Sequence, residues 1–355
     1  MSMKKQLPIH LKPDIVSYSS HAKILSILAT DDCFKGWFHS NYIHMCCPKD
    51  FKSGNGIHLD FYMGPAKDFT FYPIHPWLFS QVIKKDLING MTNNITEFVI
   101  QCIDLGYYVD IHLDQYYLPK DDEYGAEPVH FYHDTLIFGY DREQRTFDIL
   151  GYTPFFRAET VSFEQLDQAY RNCPVERWYS VFYLYSYKPM PDARRSREGL
   201  DVPLIRDSLE SYLGSPNISR QFAMIEFEHR DLVYGMETYS YLRKNYGTGE
   251  YWGDIRPMYA LWEHKKCMLQ RMEVLHERGY LSGKGYEWCK KEYEDIKHLS
   301  ELLKQAQLKS LMLEDFTLIE KKFDSLMAEI EEREGHALER LLQELNEYSV
   351  SSLAT

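Results

Sequence analysis

The stretch that decides the fold reads GYYVDIHLDQYYLP from Gly106 to Pro119 and, after a polar loop, HFYHDTLIFGYDREQRTFDILGYTP from His130 to Pro154. Tyr108 to Tyr117 is rich in aromatic and β-branched residues and is closed by Pro119, which predicts a strand. Within it Asp110, His112 and Asp114 alternate with Val109, Ile111 and Leu113. A period of two puts the three ionisable groups on one face and the three aliphatic groups on the other. Phe131 to Tyr140 predicts a second strand, Asp141 to Gln144 a polar turn, and Thr146 to Leu150 a third strand. These strands hold the densest group of His and Asp in the chain, so chemistry is expected here.

The chain around this stretch has 355 residues, beyond the size at which one core stops growing, so two domains are expected. Aromatic residues make up 15% of it, with 28 Tyr, enough to build a large core or to line a cleft for an apolar or planar group. The net charge is −13, and the densest basic patch, Arg194-Arg195-Ser196-Arg197, reads as a linker. A nucleic-acid partner is therefore excluded from the expectation. The seven cysteines (33, 46, 47, 102, 173, 267, 289) form no CxxC or framework spacing. The N-terminus carries no apolar signal region, and no apolar run approaches the ~20 residues of a membrane span. The expectation is a reduced, cytoplasmic protein without a membrane partner.

Outward from the central strands, Ser20 to Leu28 predicts the first helix, and Asp31 to Phe34 opens a new element. Ile57 to Met63 alternates as a strand. From Trp77 two helices are expected, broken at Asn89-Gly90, the second capped by Thr92 or Asn93. Ser162 with Gln165 three later predicts a capped helix to Tyr170, and Trp178 to Tyr187 the last strand. Beyond about residue 200 the spacing is helical: Leu204 to Leu213, Phe222 to Tyr246 (either broken or only weakened at Gly235), Pro257 to Arg278, Tyr286 to Leu308 and Asp315 to Tyr348. The fold class is α+β, an antiparallel-sheet domain over about 1–190 and an all-helical domain over about 200–355. The final helix, dense in Glu, Lys and Leu, permits a homodimer.

Individual residues bring competing readings. His133, with Asp134 and Asp141 near it in sequence, is either a general base or a core histidine bonded to a carbonyl. Cys33 is either a nucleophile or a small packed hydrophobe. Asp110, His112 and Asp114 lack the spacing of a zinc site, so no metal is expected. His264, between Glu263 and Lys265, reads as part of an exposed charged helix face.

The succession of a helix, G-Y-Y-V-x-x-x-x-D-x-Y-Y-x-P (106–119), a loop, H-D-x-L-I-x-G-Y-D (133–141), a strand, Gly151-Tyr152 and the Ala169-Tyr170 helix resembles a known family. It is similar to the N-terminal domain of the butirosin biosynthesis protein H family, over residues of about 15–187. That family is found with nonribosomal peptide and aminoglycoside biosynthesis. The resemblance implies a papain-type cysteine-peptidase fold, and the H-x-x-x-x-x-G-Y-D string also occurs in double-glycine peptidases. The helical part, with Arg256, Glu263-His264-Lys265, Met268 and Arg271, resembles the extension of the peptide-synthetase-linked branch.

The resemblance makes His133 the base that activates a thiol. Related peptidases orient that imidazole with an Asp-Pro pair; here the matching segment is Tyr152-Thr153-Pro154, and Thr153 stands in as a weaker acceptor. The family's nucleophilic Cys opens the first long helix, which makes Cys33 the best placed, with Ser40-Asn41 and Cys46-Cys47 as alternative alignments. Asp114 recurs ahead of Tyr-Tyr-x-Pro and, with Tyr116 and Asp134, forms the expected substrate-positioning set. The activity implied is acyl transfer, or thioester or amide cleavage, on carrier-bound acyl or peptidyl groups in secondary metabolism through a Cys–His pair. Its partners would be a carrier protein or peptide synthetase and a small-molecule amine acceptor, with no cofactor. The alternative is a catalytically inactive papain-like module that binds a synthetase or carrier protein, with the helical half supplying contact surface.

Overall fold

The computed structural model describes residues 2–52, 56–64, 77–119, 130–152, 155–175, 180–187, 199–224 and 228–353, with side chains of the last helix described through 347. In chain order the strands are β1 (Lys4–Gln6), β2 (Met45–Pro48), β3 (Asp60–Phe61), β4 (Leu78–Lys84) and β5 (Tyr108–Asp114). They continue with β6 (Tyr132–Asp141), β7 (Thr146–Tyr152), β8 (Phe156–Ser162), β9 (Val181–Tyr187) and β10 (Leu232–Tyr234). The helices of the first half are α1 (Ser19–Leu28), α2 (Lys35–Asn41), α3 (Lys85–Met91), α4 (Ile95–Asp104) and α5 (Phe163–Asn172). Those of the second half are α6 (Val202–Gly214), α7 (Glu237–Tyr246), α8 (Arg256–Glu277), α9 (Gly283–Leu313) and α10 (Thr317–Leu353). An antiparallel sheet in the N-terminal half is followed by a helical C-terminal region, an α+β architecture.

The chain divides into two compact units, Met1–Phe34 with Tyr72–Arg195, and Lys35–Phe71 with Ser196–Thr355. Residues 35–71 thus group with the helical unit, while the second crossing falls inside the Arg194–Arg197 stretch read as a linker.

In the first unit the sheet runs β4-β9-β5-β6-β7-β8, with every neighbour antiparallel. β1 pairs with Gly139 to Asp141, beyond the part of β6 that β5 covers, and so continues the row of β5. The alternation of β5 sets the layers. Val109, Ile111 and Leu113 are fully buried on one face. Phe182 of β9 pairs with Ile111, and the rings of Phe98 on α4 and Tyr170 on α5 meet Phe182 at 5.9 and 5.7 Å. α4 and α5 therefore cover the aliphatic face, while α1 lies on the other, where Lys23 reaches Asp110.

Two local expectations are corrected, and one strand, β8, has no counterpart in the sequence reading. A helix was expected from Trp77, but residues 78–84 pair along their whole length with β9, from Leu78↔Tyr187 to Lys84↔Val181, and helix begins only at Lys85. α4 is capped by Asn94, whose side chain accepts the Glu97 N–H at 3.0 Å, and not by Thr92 or Asn93. β8 is an edge strand that carries Arg157 and Glu159 as an ion pair, so its sequence lacks the apolar alternation of a half-buried strand.

The second unit sets a small sheet, β10-β2-β3, among its helices. The segment from Phe222 to Tyr246 breaks at Gly235, and the part before the break ends in β10 rather than in helix, with α7 after it. Gly235 between them has φ +59, and a Cβ there would run into the carbonyl of Tyr212, so only glycine fits the turn. The exposed face expected at Glu263-His264-Lys265 is also corrected: all three are buried. Lys265 Nζ donates to both oxygens of buried Glu334 at 2.6 and 2.7 Å, and Tyr239 and Tyr293 donate to the same carboxylate at 2.5 and 3.2 Å. His264 is bonded through Nε2 to the Ile43 carbonyl at 2.8 Å. A charged triplet reads as surface until its partner on a distant helix is known.

Candidate functional site

On the ionisable face of the sheet, β5 presents Tyr108, Asp110, His112 and Asp114, and β6 brings Asp134 directly across from His112. α1 crosses this face. Lys23, 1% exposed, donates to the two oxygens of Asp110 at 2.7 and 2.6 Å and also to Asp134. One turn earlier, the Ser19 hydroxyl lies 2.9 Å from each oxygen of Asp134. His133 Nδ1 sits 2.9 Å from Asp134 Oδ1 and 3.1 Å from that residue's own carbonyl oxygen. Asp134 is thus shared by a hydroxyl, an ammonium and an imidazole.

The electrostatics follow from burial set against these contacts. Burial would raise Asp134, but Lys23 and then His133 hold it well below the ordinary carboxylate range. Asp110, facing the same ammonium with a second carboxylate beside it, is lifted by burial to about 6. Burial works against a charged Lys23, yet Asp110 and Asp134 leave its pKa raised. In His133 burial is outweighed by Asp134, so its pKa is raised from 6.5. His112 is lowered by burial to about 4 and is neutral at pH 7.

The structure distributes the sequence-derived residues as follows. His133 and Asp134 come together, and the carboxylate orienting the imidazole is the adjacent Asp134, where the sequence had looked to the 152–154 segment. Thr153 lies outside the described residues. Cys33 lies elsewhere. It sits in a short 3-10 turn with its N–H on Asp31 Oδ1 at 3.0 Å. Asp31 accepts from Tyr187 at 2.7 Å, and Tyr187 lies two residues beyond Tyr185, which pairs with Tyr108 at the start of β5. His133 pairs with Leu113 near the end of β5. Cys33 and His133 are therefore held at opposite ends of that strand. The unit's other thiols, Cys102 on α4 and Cys173 after α5, lie with the helices of the aliphatic face, and Cys46-Cys47 and Ser40 belong to the second unit. The residue that opens α1 beside Asp134 is Ser19, which sequence reasoning missed because no thiol marks it.

Asp114 and Tyr116 form a second, separate arrangement. Asp114 is fully buried; Oδ1 accepts the Tyr116 N–H at 3.1 Å and caps the turn Gln115–Tyr117, while Oδ2 lies 2.7 Å from His130 Nδ1. The Tyr116 ring stacks on His130 at 4.4 Å and 15°. The Asp-x-His-x-Asp face is thus divided between partners, Asp110 to Lys23 and Asp114 to His130. Among the described residues no group of three or more His, Cys, Asp or Glu side chains is arranged to hold a metal ion. No family model matches the chain, and no curated protein matches it significantly.

Proposed function

We propose that the chain is a papain-like relative that binds carrier-protein-bound acyl or peptidyl groups in secondary metabolism without running Cys–His chemistry on them. The resemblance of residues 106–119 and 133–141 supplies the scaffold, the carrier protein and the amine-acceptor class. One observation carries the loss of thiol chemistry: the residue opening α1 is Ser19, with its hydroxyl 2.9 Å from both oxygens of Asp134. That carboxylate is held far below its usual range, first by Lys23, so it is a weak base for the hydroxyl proton. A nucleophile needs an accepting base, and here His133 shares the same carboxylate with Ser19.

A serine version of the acyl-enzyme mechanism keeps one point in its favour, the orientation of His133 Nδ1 by Asp134, which leaves Nε2 to take a proton. Two measurements separate the readings. The full chain is incubated with a peptidyl carrier protein bearing acetyl-phosphopantetheine, and binding is followed by calorimetry and adducts by intact mass. Saturable binding with no covalent acetyl adduct is expected. An adduct that disappears in Ser19→Ala establishes the serine enzyme instead, and absence of binding removes the carrier-handling reading.

A further inference from the structure

The Asp114–His130 pair meets the geometric demands on a proton-transfer centre better than the residues the resemblance nominates. Asp114 is 0% exposed and His130 is 55% exposed, with 2.7 Å between Oδ2 and Nδ1. A buried carboxylate on Nδ1 fixes the tautomer, so the neutral ring carries its proton there and its lone pair on Nε2. No partner occupies Nε2 among the described residues. The ring cannot swing freely, because Tyr116 lies flat against it and Tyr117 meets Tyr116 edge-on at 5.0 Å. The backbone holds it as well: the Gln115 N–H donates to the carbonyl of Phe131, the next residue, at 2.8 Å. An exposed imidazole is thus restrained on two sides and open on the third, beside the part-exposed ring of Tyr116. His133, by contrast, has its carboxylate shared with Lys23 and Ser19.

We propose that His130, positioned by Asp114, is a general base for direct transfer of an acyl group from a thioester to a primary amine, with no acyl-enzyme. The thioester substrate class rests on the carrier-handling reading above. In the step, the amine nitrogen attacks the thioester carbonyl carbon while its proton passes to His130 Nε2. The C–S bond then breaks, the proton is returned to the departing sulfur, and an amide and a free thiol result. No nucleophilic side chain is needed for this step. Tyr116, stacked on the imidazole, offers apolar surface to the acceptor.

The test uses acetyl-N-acetylcysteamine as thioester and phenethylamine as acceptor, with amide formation by the full chain followed by chromatography. The wild type is expected to form amide faster than buffer. His130→Gln, at a half-exposed position, is expected to keep the wild-type unfolding midpoint and lose about 100-fold or more in kcat, the usual worth of a general base. Asp114→Asn keeps a capping side chain for Tyr116, so a fall in kcat with KM unchanged marks the loss of orientation. His10→Gln, an exposed histidine elsewhere in the same unit, is expected to leave the rate unchanged. A wild-type rate equal to buffer, or a folded His130→Gln at the wild-type rate, overturns the proposal. Binding of the acetylated carrier, measured on the same samples, separates the two failures. Carrier bound without transfer removes only His130 chemistry, and carrier unbound removes the function proposed above.

Discussion

A single lysine shows how far the ionisable face departs from a solvated one. Lys23 is surrounded by Asp110, Asp134 and the helix that carries it, with almost no exposure. Desolvating three charges costs more than one ion pair returns, so the arrangement depends on every partner being present. Lys23→Met would leave Asp110 and Asp134 facing each other without a cation, at a cost of about 3–5 kcal/mol. The pH dependence of that loss has a definite sign. Asp110 already stands at about 6 with the ammonium in place, and removing the ammonium pushes it further up. A folded pKa above the unfolded value of roughly 3.9 means that the folded variant binds more protons, so it regains stability as pH falls through that window. Urea midpoints of wild type and variant should therefore lie closer together at pH 5 than at pH 7.5, and a gap that widens would sink this account. The alternation of charges on β5 was legible in the sequence. Their partners were not, because Lys23 sits inside an apolar-looking helix and His130 is 16 residues away from Asp114 in sequence.

Elements were read correctly where a local rule governs them and incorrectly where pairing decides. The Ser162–Gln165 capping box is present as its spacing predicts, with bonds of 3.1 and 2.8 Å. The strand β4 was read as helix because its apolar residues suit either period, and only pairing with β9 distinguishes them. The break at Gly235 was visible as a glycine, but its necessity was not. Gly235→Ala combines left-handed strain with a collision at the Tyr212 carbonyl, which together cost roughly 3 kcal/mol. Gly249 supplies the control: its φ is +77, yet a Cβ would meet only a Glu320 side-chain oxygen at 3.7 Å. Gly249→Ala should then cost about 1 kcal/mol, the backbone strain alone. Denaturant melts of the two variants should differ by about 2 kcal/mol, and equal losses would show that the Tyr212 contact contributes nothing.

At the scale of the whole chain, the α+β division was legible because the hydrophobic period changes from two to 3.6 near residue 200. The grouping of residues 35–71 with the helical unit was not, since it depends on pairings such as Cys47 with Val233 that no local pattern announces. The two units also differ in how they answer acid. In the second, His44 is lowered to about 4 by burial and by Arg271, and His264 is lowered well below its ordinary value by burial and by Lys265. An unfolded histidine titrates near 6.5. Between that value and the folded one the unfolded state binds more protons, so the stability of this unit falls as pH drops from about 6.5 towards 4. For His44 alone the shift amounts to about 3 kcal/mol at most. In the first unit His112, also near 4, pulls the same way, but Asp110 near 6 pulls the other, and the two oppose each other across this window. Mild acid is therefore expected to loosen the helical unit before the sheet unit. Hydrogen exchange at pH 5 and pH 7, corrected for intrinsic rates, should show protection lost first in α8 and in β2 beside His44, with β5 and β6 still protected. His44→Gln should flatten the response of the helical unit; equal loss of protection in both units, or an unchanged response in the variant, would sink the assignment to these histidines.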